Sequence, residues 1–319
     1  MSLGEFELID RMLKPLAQGF AGALELTDDA ALVDVPAGRQ LVIAKDAIVA
    51  DVHFLADDPP ELVGGKLLRV NLSDLAAMGA DPLAYLTAVA RPPSIGDGWL
   101  QRFTSGLSTD QQRFGCHLIG GDTTSTTGPL VLSLTIVGTV PSGQALLRSG
   151  ARPGDDVWVS GTLGDAAIGL RVLRGLAVTE DEALELVGRY RAPSPRLALG
   201  RALRGLANAA IDVSDGLVAD LAHICTESRA AAVIDVSRLP LSDVARGVPG
   251  AREAALTGGD DYELLFTAPA TQRSIVEGLA SAVGHAVTRI GAITEGSGVS
   301  VVEADGQPVI LPRQGWRHF

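Results

Sequence analysis

The sequence predicts an α/β protein of the α+β type, built from two mixed sheet–helix domains. Three observations support this prediction. The chain has 319 residues, which exceeds the size at which a single hydrophobic core usually keeps growing. Apolar residues recur at helical spacing in some segments and form short β-type runs in others. A segment rich in Gly, Pro and charged residues, 148–156, lies between two such sets, so the predicted domains are 1–147 and 148–319.

The first domain is predicted to begin with a helix, because four apolar residues near its start recur at three- and four-residue intervals. They are Phe6, Ile9, Leu13 and Leu16. Two β-type runs follow, at 31–35 and 40–44, on either side of a Pro-Ala-Gly turn. Two further strands, at 83–90 and 130–140, flank an amphipathic helix. This half of the chain therefore mixes strands and helices.

A longer helix is predicted in the middle of the first domain, ending at Gly79. Asp58, Pro59 and Glu61 are the residue types of an N-cap, a first-turn proline and an N3 acid. Asp74 then lies in the last turns of this helix.

The second domain is predicted to continue the mixture of strands and helices. A strand at 157–160 opens it, and a strand at 209–213 runs into Ser214-Asp215-Gly216 and a helix. Another strand covers 262–267. The remaining elements are a helix at 271–283 and strands at 286–293 and 299–302.

Composition excludes several classes of function. The net charge is −12, and binding to a phosphate backbone relies on clustered Lys and Arg, so nucleic acid is not an expected partner. No apolar stretch reaches the roughly 18 residues of a membrane span, and no basic segment precedes an apolar one as in a secretory signal. Cys116 and Cys225 are far apart, which fits reduced thiols. We therefore expect a cytoplasmic protein without a membrane partner.

Short acidic side chains directly follow several β-type runs. Three aspartates stand in such positions, Asp46, Asp122 and Asp212, and the set is extended by the pair Asp28-Asp29, by Asp74 and by Asp215. Rigid carboxylates of this kind bind Mg²⁺ together with substrate phosphates. Taken one at a time, each is better explained as a turn or helix-cap residue.

Two glycine-rich turns, 120–124 and 160–165, have main-chain N–H groups that could cradle phosphate oxygens. Neither matches the P-loop or the dinucleotide-binding pattern, and the signatures of protein kinases are absent. Glycine and aspartate in turns also need no ligand. These segments alone leave the function open.

A series of ordered motifs resembles the thiamine-monophosphate kinase family. The motifs are Gly4-Glu5-Phe6, Asp28-Asp29-Ala30, Asp51-Val52-His53-Phe54, the run from Val70 to Ala80, Gly120-Gly121-Asp122-Thr123-Thr124, the run from Ile211 to Leu217, Asp261-Tyr262-Glu263-Leu264 and the run from Gly315 to Phe319. The resemblance covers nearly the whole chain. It implies the fold of aminoimidazole ribonucleotide synthetase, with an ATP- and Mg²⁺-binding N-terminal domain, 1–147, whose sheets pair across a homodimer.

The resemblance also implies roles for individual residues. The implied Mg²⁺ ligands are Asp29, Asp46, Asp74, Asp122, Asp212 and Asp215. The implied contacts of ATP are Gly121, Asp122, Arg148 and Ser214, and those of thiamine monophosphate are His53, Asp260 and Trp316. Catalysis would rest on Asp46, Asp74, Asp122 and Arg148. For His53 and Trp316 the alternative is a packed core residue or an anchor of the C-terminal tail.

Two positions depart from the family pattern. The family usually has two hydroxyl residues before the aspartate where this chain has Ala44-Lys45-Asp46, and usually Glu where this chain has Asp260. A regular strand would point Lys45 and Asp46 to opposite sides, whereas a bend would turn Lys45 into the acidic site.

The expected reaction is in-line transfer of the γ-phosphoryl group of ATP to thiamine monophosphate, with Mg²⁺ as cofactor and ATP as co-substrate. The alternatives are another ATP-dependent enzyme of the same superfamily, of the selenophosphate synthetase or aminoimidazole ribonucleotide synthetase type, and a non-catalytic nucleotide-binding protein on this fold.

Overall fold

The part of the chain that this computed structural model describes, residues 5–312 together with Gly315, divides into two units. The first unit comprises the described residues up to Leu75 and Ala80–Ser142, and the second comprises Ala76–Gly79 and the described residues from Gly143 onward. Each combines a β-sheet with helices, which confirms the predicted fold class. The predicted domain boundary between residues 147 and 148 stays a prediction.

The first unit is built around one sheet. The helices that lie wholly or mainly in this unit are α1 (Glu5–Leu8), α2 (Lys14–Ala17), α3 (Pro60–Ala77) and α4 (Asp97–Phe114). Its strands are β1 (Arg39–Val49), β2 (Asp81–Arg91), β3 (His117–Ser125) and β4 (Val131–Pro141). A π-helical turn, Ile9–Leu13, joins α1 to α2, and a 3₁₀ segment, Ala21–Leu26, follows.

The strand order in the first sheet is β1-β4-β2-β3. Only β2 and β3 are parallel, and β1 forms an edge. Side chains alternate between two faces along β1, with Val42 and Ile48 buried but Leu41 and Ile43 exposed by 39 % and 62 %. One face of the sheet therefore carries the core, and the other presents apolar side chains to solvent.

Helices α3 and α4 are tied to each other and to the core of the first sheet. Tyr85 of β2 is fully buried and its hydroxyl donates to Gln111 Oε1 of α4 at 2.7 Å. Arg69 of α3 makes two hydrogen bonds to the buried carboxylate of Asp110 in α4, at 2.6 and 2.9 Å. On the same helix, half-buried Trp99 stacks on Phe103 with 5.4 Å between ring centroids.

The second unit contains a larger sheet. Its strands are β5 (Asp155–Ser160), β6 (Ala209–Asp212), β7 (Ala231–Asp235), β8 (Leu264–Pro269), β9 (Val287–Thr294) and β10 (Gly298–Val302). Its helices are α5 (Asp165–Leu173), α6 (Glu180–Arg191), α7 (Leu197–Ala202), α8 (Leu217–Ser228), α9 (Asp243–Arg246), α10 (Ala251–Thr257) and α11 (Arg273–Ala282).

The second sheet has the order β10-β7-β9-β5-β8-β6, with β10 parallel to β7 and the other pairs antiparallel. Strand β5 lies inside the sheet and is buried along its whole length. Its Trp158 is 2 % exposed and lies almost parallel to Phe266 of β8. On the opposite face, Val159 and Ile211 share a core with apolar residues of α8. No helix among the described residues has both the length and the apolar character needed to cross a membrane.

Candidate active site

The connection between β6 and α8 carries three of the predicted site residues. Strand β6 ends at Asp212, and α8 begins directly after Gly216. Asp212 is buried, while Ser214 and Asp215 are half-buried. We call residues 212–216 the aspartate loop.

One buried carboxylate holds the aspartate loop through its main chain. The N–H groups of Ser214, Asp215 and Gly216 all donate to Oδ2 of Asp220, each at 3.1 Å. Asp220 lies in the first turn of α8 and is 2 % exposed. Burial raises the pKa of its carboxyl group, and the charges of Asp212 and Asp215 add to the effect, bringing the pKa to about 7. Sequence reasoning missed this residue, although it follows Gly216 by one helical turn.

The segment 260–263 is hydrogen-bonded to the aspartate loop through its main chain. The Asp260 N–H donates to the carbonyl oxygen of Ser214 at 2.9 Å, and the Tyr262 N–H donates to that of Val213 at 2.8 Å. Asp260 and Tyr262 have left-handed backbone conformations, with φ of 71° and 49°. The structure therefore makes neighbours of Ser214 and Asp260, for which the family resemblance implies contacts with two different substrates.

Glycine is required where the aspartate loop meets α8. Gly216 has φ of +125°, and a Cβ there would lie 2.9 Å from the carbonyl carbon of Thr257. A side chain would thus be strained and would collide with main-chain atoms. This close approach to Thr257 explains why the motif has glycine at position 216, and no bound ligand is needed for the explanation.

The C-terminal tail meets the aspartate loop at Gly315. A Cβ on Gly315 would lie 2.8 Å from the carbonyl oxygen of Asp215 and 2.6 Å from Cβ of Ala219. The main chain at Gly315 therefore packs directly on the loop. Trp316, the predicted contact of thiamine monophosphate, lies outside the described residues.

Glu263 connects the aspartate loop to a buried ion pair. Its carboxylate accepts from Nε of Arg196 at 2.6 Å and also contacts Nη2 of the same guanidinium. Ser160 Oγ donates to this carboxylate at 2.5 Å. The carbonyl oxygen of Glu263 accepts from the Val213 N–H at 2.8 Å. The ion pair and the loop are thus held by one residue.

Arg148 lies away from Ser214 within the second unit. The carbonyl oxygen of Arg148 accepts from Ser228 Oγ at the C-terminal end of α8. Ser214 precedes the N-terminal end of that helix, whose 12 residues span about 18 Å at 1.5 Å per residue. The structure does not bring the main chains of these two predicted ATP contacts together, and the Arg148 side chain is exposed.

Asp46 and Asp74 lie on neighbouring elements of the first unit. The Asp46 N–H on β1 donates to Oδ1 of Asn71 at 3.1 Å. Asn71 is fully buried in α3, and Asp74 follows it by three residues, close to one helical turn. The structure therefore brings these two predicted metal ligands to adjacent positions on β1 and α3.

Lys45 takes the outward orientation that a regular strand predicts. Strand β1 continues past it to Val49, and Lys45 is exposed while Asp46 is half-buried. Lys45 shares the solvent-facing side of β1 with Leu41 and Ile43. It does not face the side on which Asp46 lies.

The side chains of Asp122 and Asp46 lie on opposite faces of the first sheet. In the strand register, Asp122 pairs with Ala88, Ala88 with Ser133, and Ser133 with Ala47. Paired residues share a face, and Ala47 is the neighbour of Asp46 along the strand. The structure does not bring the carboxylates of Asp46 and Asp122 together, and that of Asp122 is exposed.

Gly121, the other predicted ATP contact on β3, allows two strands to approach closely. A Cβ at this position would lie 2.2 Å from the carbonyl oxygen of Thr87 on β2. No other residue fits without moving a strand. The structure therefore gives Gly121 a packing role that does not depend on a ligand.

His53 is held in a turn after β1. Its Nδ1 accepts from the Val49 N–H at 3.1 Å, so a neutral ring carries its proton on Nε2. Lys66, which is 3 % exposed, donates from Nζ to the carbonyl oxygen of His53 at 3.0 Å. Asp29 lies in an exposed segment without regular secondary structure.

Two family models match this chain. They describe the AIR synthase related protein, with the N-terminal domain matching residues 27–140 and the C-terminal domain matching residues 152–303. The thiamine-monophosphate kinase of Caulobacter vibrioides is 44 % identical over 98 % of this chain and 90 % of its own length.

Two solved structures share the fold over nearly the full chain. The thiamine-monophosphate kinase from Stenotrophomonas maltophilia K279a has a TM-score of 0.84 and 44 % identity, covering 97 % of this chain and 99 % of its own. AaThiL, complexed with AMPPCP and TMP, has a TM-score of 0.78 and 34 % identity, covering 100 % and 99 %. These matches do not favour the alternative superfamily members or a non-catalytic protein. The chain belongs to the thiamine-monophosphate kinase family.

Proposed function

We propose that this protein transfers the γ-phosphoryl group of ATP to the phosphate of thiamine monophosphate, releasing thiamine diphosphate and ADP. The observation that carries the proposal is the main-chain hydrogen bond between Asp260 and Ser214. It joins a predicted contact of thiamine monophosphate to a predicted contact of ATP. The complex of AaThiL with AMPPCP and TMP supports the same pair of substrates for this chain.

The acceptor in this reaction needs little activation. A phosphomonoester has a second pKa of about 6, so its oxygens are largely ionised at neutral pH and no general base is required. The protein must hold the two phosphates in line and offset the charge that develops between them. Arg148 is exposed, and its guanidinium is suited to bind a phosphate through two hydrogen bonds.

We further propose that Mg²⁺ is the cofactor. Asp29, Asp46, Asp74, Asp122, Asp212 and Asp215 would supply the protein ligands, distributed over one or more bound ions. Their oxygen donors suit this ion, which kinases hold through one or two carboxylates together with substrate phosphates. Among residues 5–312 and Gly315, no three His, Cys, Asp or Glu side chains converge on a metal site. When bound, the ion neutralises phosphate charge.

The proposed acceptor contacts have complementary chemistries. His53 carries its ring proton on Nε2 when neutral, which makes that atom a hydrogen-bond donor to a phosphate. The Asp260 carboxylate is suited to bind the cationic thiazolium ring of thiamine. The Tyr262 hydroxyl donates to Oδ1 of this carboxylate at 3.4 Å. The indole of Trp316 is suited to stack on the same cation.

We also propose a homodimer formed through the first sheet. Strand β1 is an edge, and its Leu41 and Ile43 are exposed. Light scattering after size exclusion should give twice the chain mass for the wild type, and the mass of one chain for Ile43→Glu. A wild-type monomer at micromolar concentration contradicts the proposal.

A cytoplasmic location is proposed on the state of the two cysteines. Cys116 and Cys225 are free and buried. Such thiols fit a reducing compartment. Fractionation of the native cells tests this location, and recovery outside the cytoplasm contradicts it.

The experiment that tests the function is an ADP-release assay with ATP and Mg²⁺. Thiamine monophosphate, thiamine and a formylglycinamidine-type precursor of aminoimidazole are offered as separate acceptors. We expect turnover with thiamine monophosphate alone, with thiamine diphosphate identified by mass. Turnover only with another acceptor contradicts the proposal.

A further inference from the structure

Asp220 gathers three successive amides on one oxygen atom. Ser214, Asp215 and Gly216 donate to Oδ2, and each N···O distance is 3.1 Å. The residue is 2 % exposed. Because one carboxyl oxygen accepts from all three N–H groups, this arrangement fixes the main chain of all three donors.

Successive amides converging on one point form the concave anion site that proteins often use to bind phosphate. In the aspartate loop that site is filled by the chain's own carboxylate. The three amides are therefore committed to Asp220 and are not available to a nucleotide phosphate at this loop.

The other side of the loop is fixed independently. The carbonyl oxygens of Val213 and Ser214 accept from the N–H groups of Tyr262 and Asp260, at 2.8 and 2.9 Å. With its N–H groups directed to Asp220 and its carbonyl oxygens directed to the segment 260–263, the loop has little freedom to reorient its side chains.

We propose that Asp220 is a positioning residue for the phosphoryl transfer: its Oδ2 holds the aspartate loop so that the hydroxyl of Ser214 and the carboxylate of Asp215, rather than the three amides that Asp220 binds, meet the nucleotide and its metal. The inference rests on the proposed function for the roles of Ser214 and Asp215. It assigns to Asp220 no contact with substrate.

Substitutions at Asp220 separate this role from a purely structural one. Asp220→Ala removes the acceptor. Asp220→Asn keeps one oxygen that can accept the same three N–H groups. Asp156 provides a matched control, because it is 3 % exposed, accepts from Arg273 at 2.6 and 2.8 Å, and lies near the start of β5, away from the aspartate loop.

Two readouts are needed, the Kd of MgATP by calorimetry and the steady-state turnover of thiamine monophosphate. We expect Asp220→Ala to weaken MgATP binding or lower kcat by about 10- to 100-fold, the range for groups that orient ligating side chains, while Asp220→Asn stays within about threefold of wild type in both. Asp156→Ala should lower the melting temperature but leave both readouts within about threefold, measured below its melting transition.

The outcomes are distinguishable. If Asp220→Ala binds and turns over like Asp156→Ala, or if Asp220→Asn is as impaired as Asp220→Ala, the positioning role is overturned. If the alanine variant does not fold, Asp220→Glu takes its place, since it keeps the carboxyl group but displaces the oxygen by one methylene. Wild-type behaviour of that variant overturns the proposal.

A wild-type protein that binds MgATP but does not act on thiamine monophosphate contradicts the proposed function. In that case the measurement of MgATP binding still tests the role of Asp220.

Discussion

The two units hold their acidic residues in different ways. In the second unit, the aspartate loop is bound through its main chain to Asp220 and to the segment 260–263. In the first unit, Asp46 and Asp122 point from opposite faces of one sheet, and Asp29 lies in an exposed irregular segment. We infer that the second unit presents a preformed arrangement, whereas the first presents separate carboxylates whose use depends on ligands. Substitutions in the two units should therefore have different effects.

The sharpest test of this difference compares two buried ion pairs. Arg69–Asp110 in the first unit and Arg196–Glu263 in the second have the same side-chain exposures, 14 % and 3 %. Removing one partner of such a pair costs about 3–5 kcal/mol of unfolding free energy. We expect this loss for both Asp110→Ala and Glu263→Ala in denaturant unfolding.

Of the two substitutions, only Glu263→Ala should also weaken MgATP binding, because the carbonyl oxygen of Glu263 accepts from the N–H of Val213, the residue before Ser214. Calorimetry under conditions where both variants are folded makes the comparison. Equal MgATP affinities for Asp110→Ala and Glu263→Ala would show that the aspartate loop does not depend on the Arg196–Glu263 ion pair.

The separate carboxylates of the first unit should affect activity without affecting stability. Asp122→Asn is expected to lower kcat by about 10²–10³-fold, as for other groups that stabilise transition-state charge, and to change the unfolding free energy by no more than about 0.5 kcal/mol. Asp74→Asn should lower kcat similarly. Asp57→Asn is the control, because Asp57 is an exposed aspartate of the same unit. Near-normal rates for Asp122→Asn at limiting Mg²⁺ contradict its metal role.

A smaller effect is expected at the tail that meets the aspartate loop. Trp316→Ala should raise KM for thiamine monophosphate more than KM for ATP, by about 0.5–2 kcal/mol, the value of a cation–π contact. Trp316→Phe should retain most of the affinity. Equal increases in both KM values together with a lower melting temperature would identify Trp316 as an anchor of the tail.

The smallest effect is expected at Lys45. Because its side chain is exposed on the face opposite to Asp46, Lys45→Thr should leave the dependence of rate on Mg²⁺ concentration unchanged. Rates are measured at fixed ATP over a Mg²⁺ titration. A variant that needs more Mg²⁺ than the wild type would place the ammonium group in the acidic site.

Sequence patterns predicted elements best where one face of a strand or helix is buried. The predicted strand at 130–140 is confirmed as Val131–Pro141, and the helix at 271–283 as Arg273–Ala282. The strand predicted at 31–35 is wrong: Ala31 and Val33 pack against a small side cluster, Leu32 and Val35 are exposed, and the segment has no regular secondary structure. Apolar content alone does not supply a hydrogen-bonding partner.

Backbone conformation limited the predictions at the site itself. The strand predicted from residue 262 begins at Leu264, because Tyr262 adopts a left-handed backbone conformation. The residue types in the motif do not predict this conformation. The glycine-rich turn at 160–165 was open to a phosphate role. A Cβ at Gly161 would lie 2.1 Å from Oε1 of Glu263, so packing against a carboxylate explains this glycine.

Ordered sequence motifs identified the residues of the candidate site, but they did not identify the residues that hold those residues in place. Asp220 has the spacing of an ordinary polar residue on α8, and only the three-dimensional structure shows its three amide donors. Likewise, the pairing of Glu263 with Arg196 spans 67 positions along the chain. Contacts of such separation leave no local pattern in a single sequence.

The placement of the tryptophans makes the two units spectroscopically separable. The chain has three tryptophans: Trp99 is half-buried in the first unit, Trp158 is 2 % exposed in the second, and Trp316 follows Gly315 in the tail. A protein carrying Trp99→Phe and Trp316→Phe would emit from Trp158 alone. Its emission should move to longer wavelength only when the second sheet opens to water, so that the unfolding of that unit can be timed without a signal from the rest of the molecule.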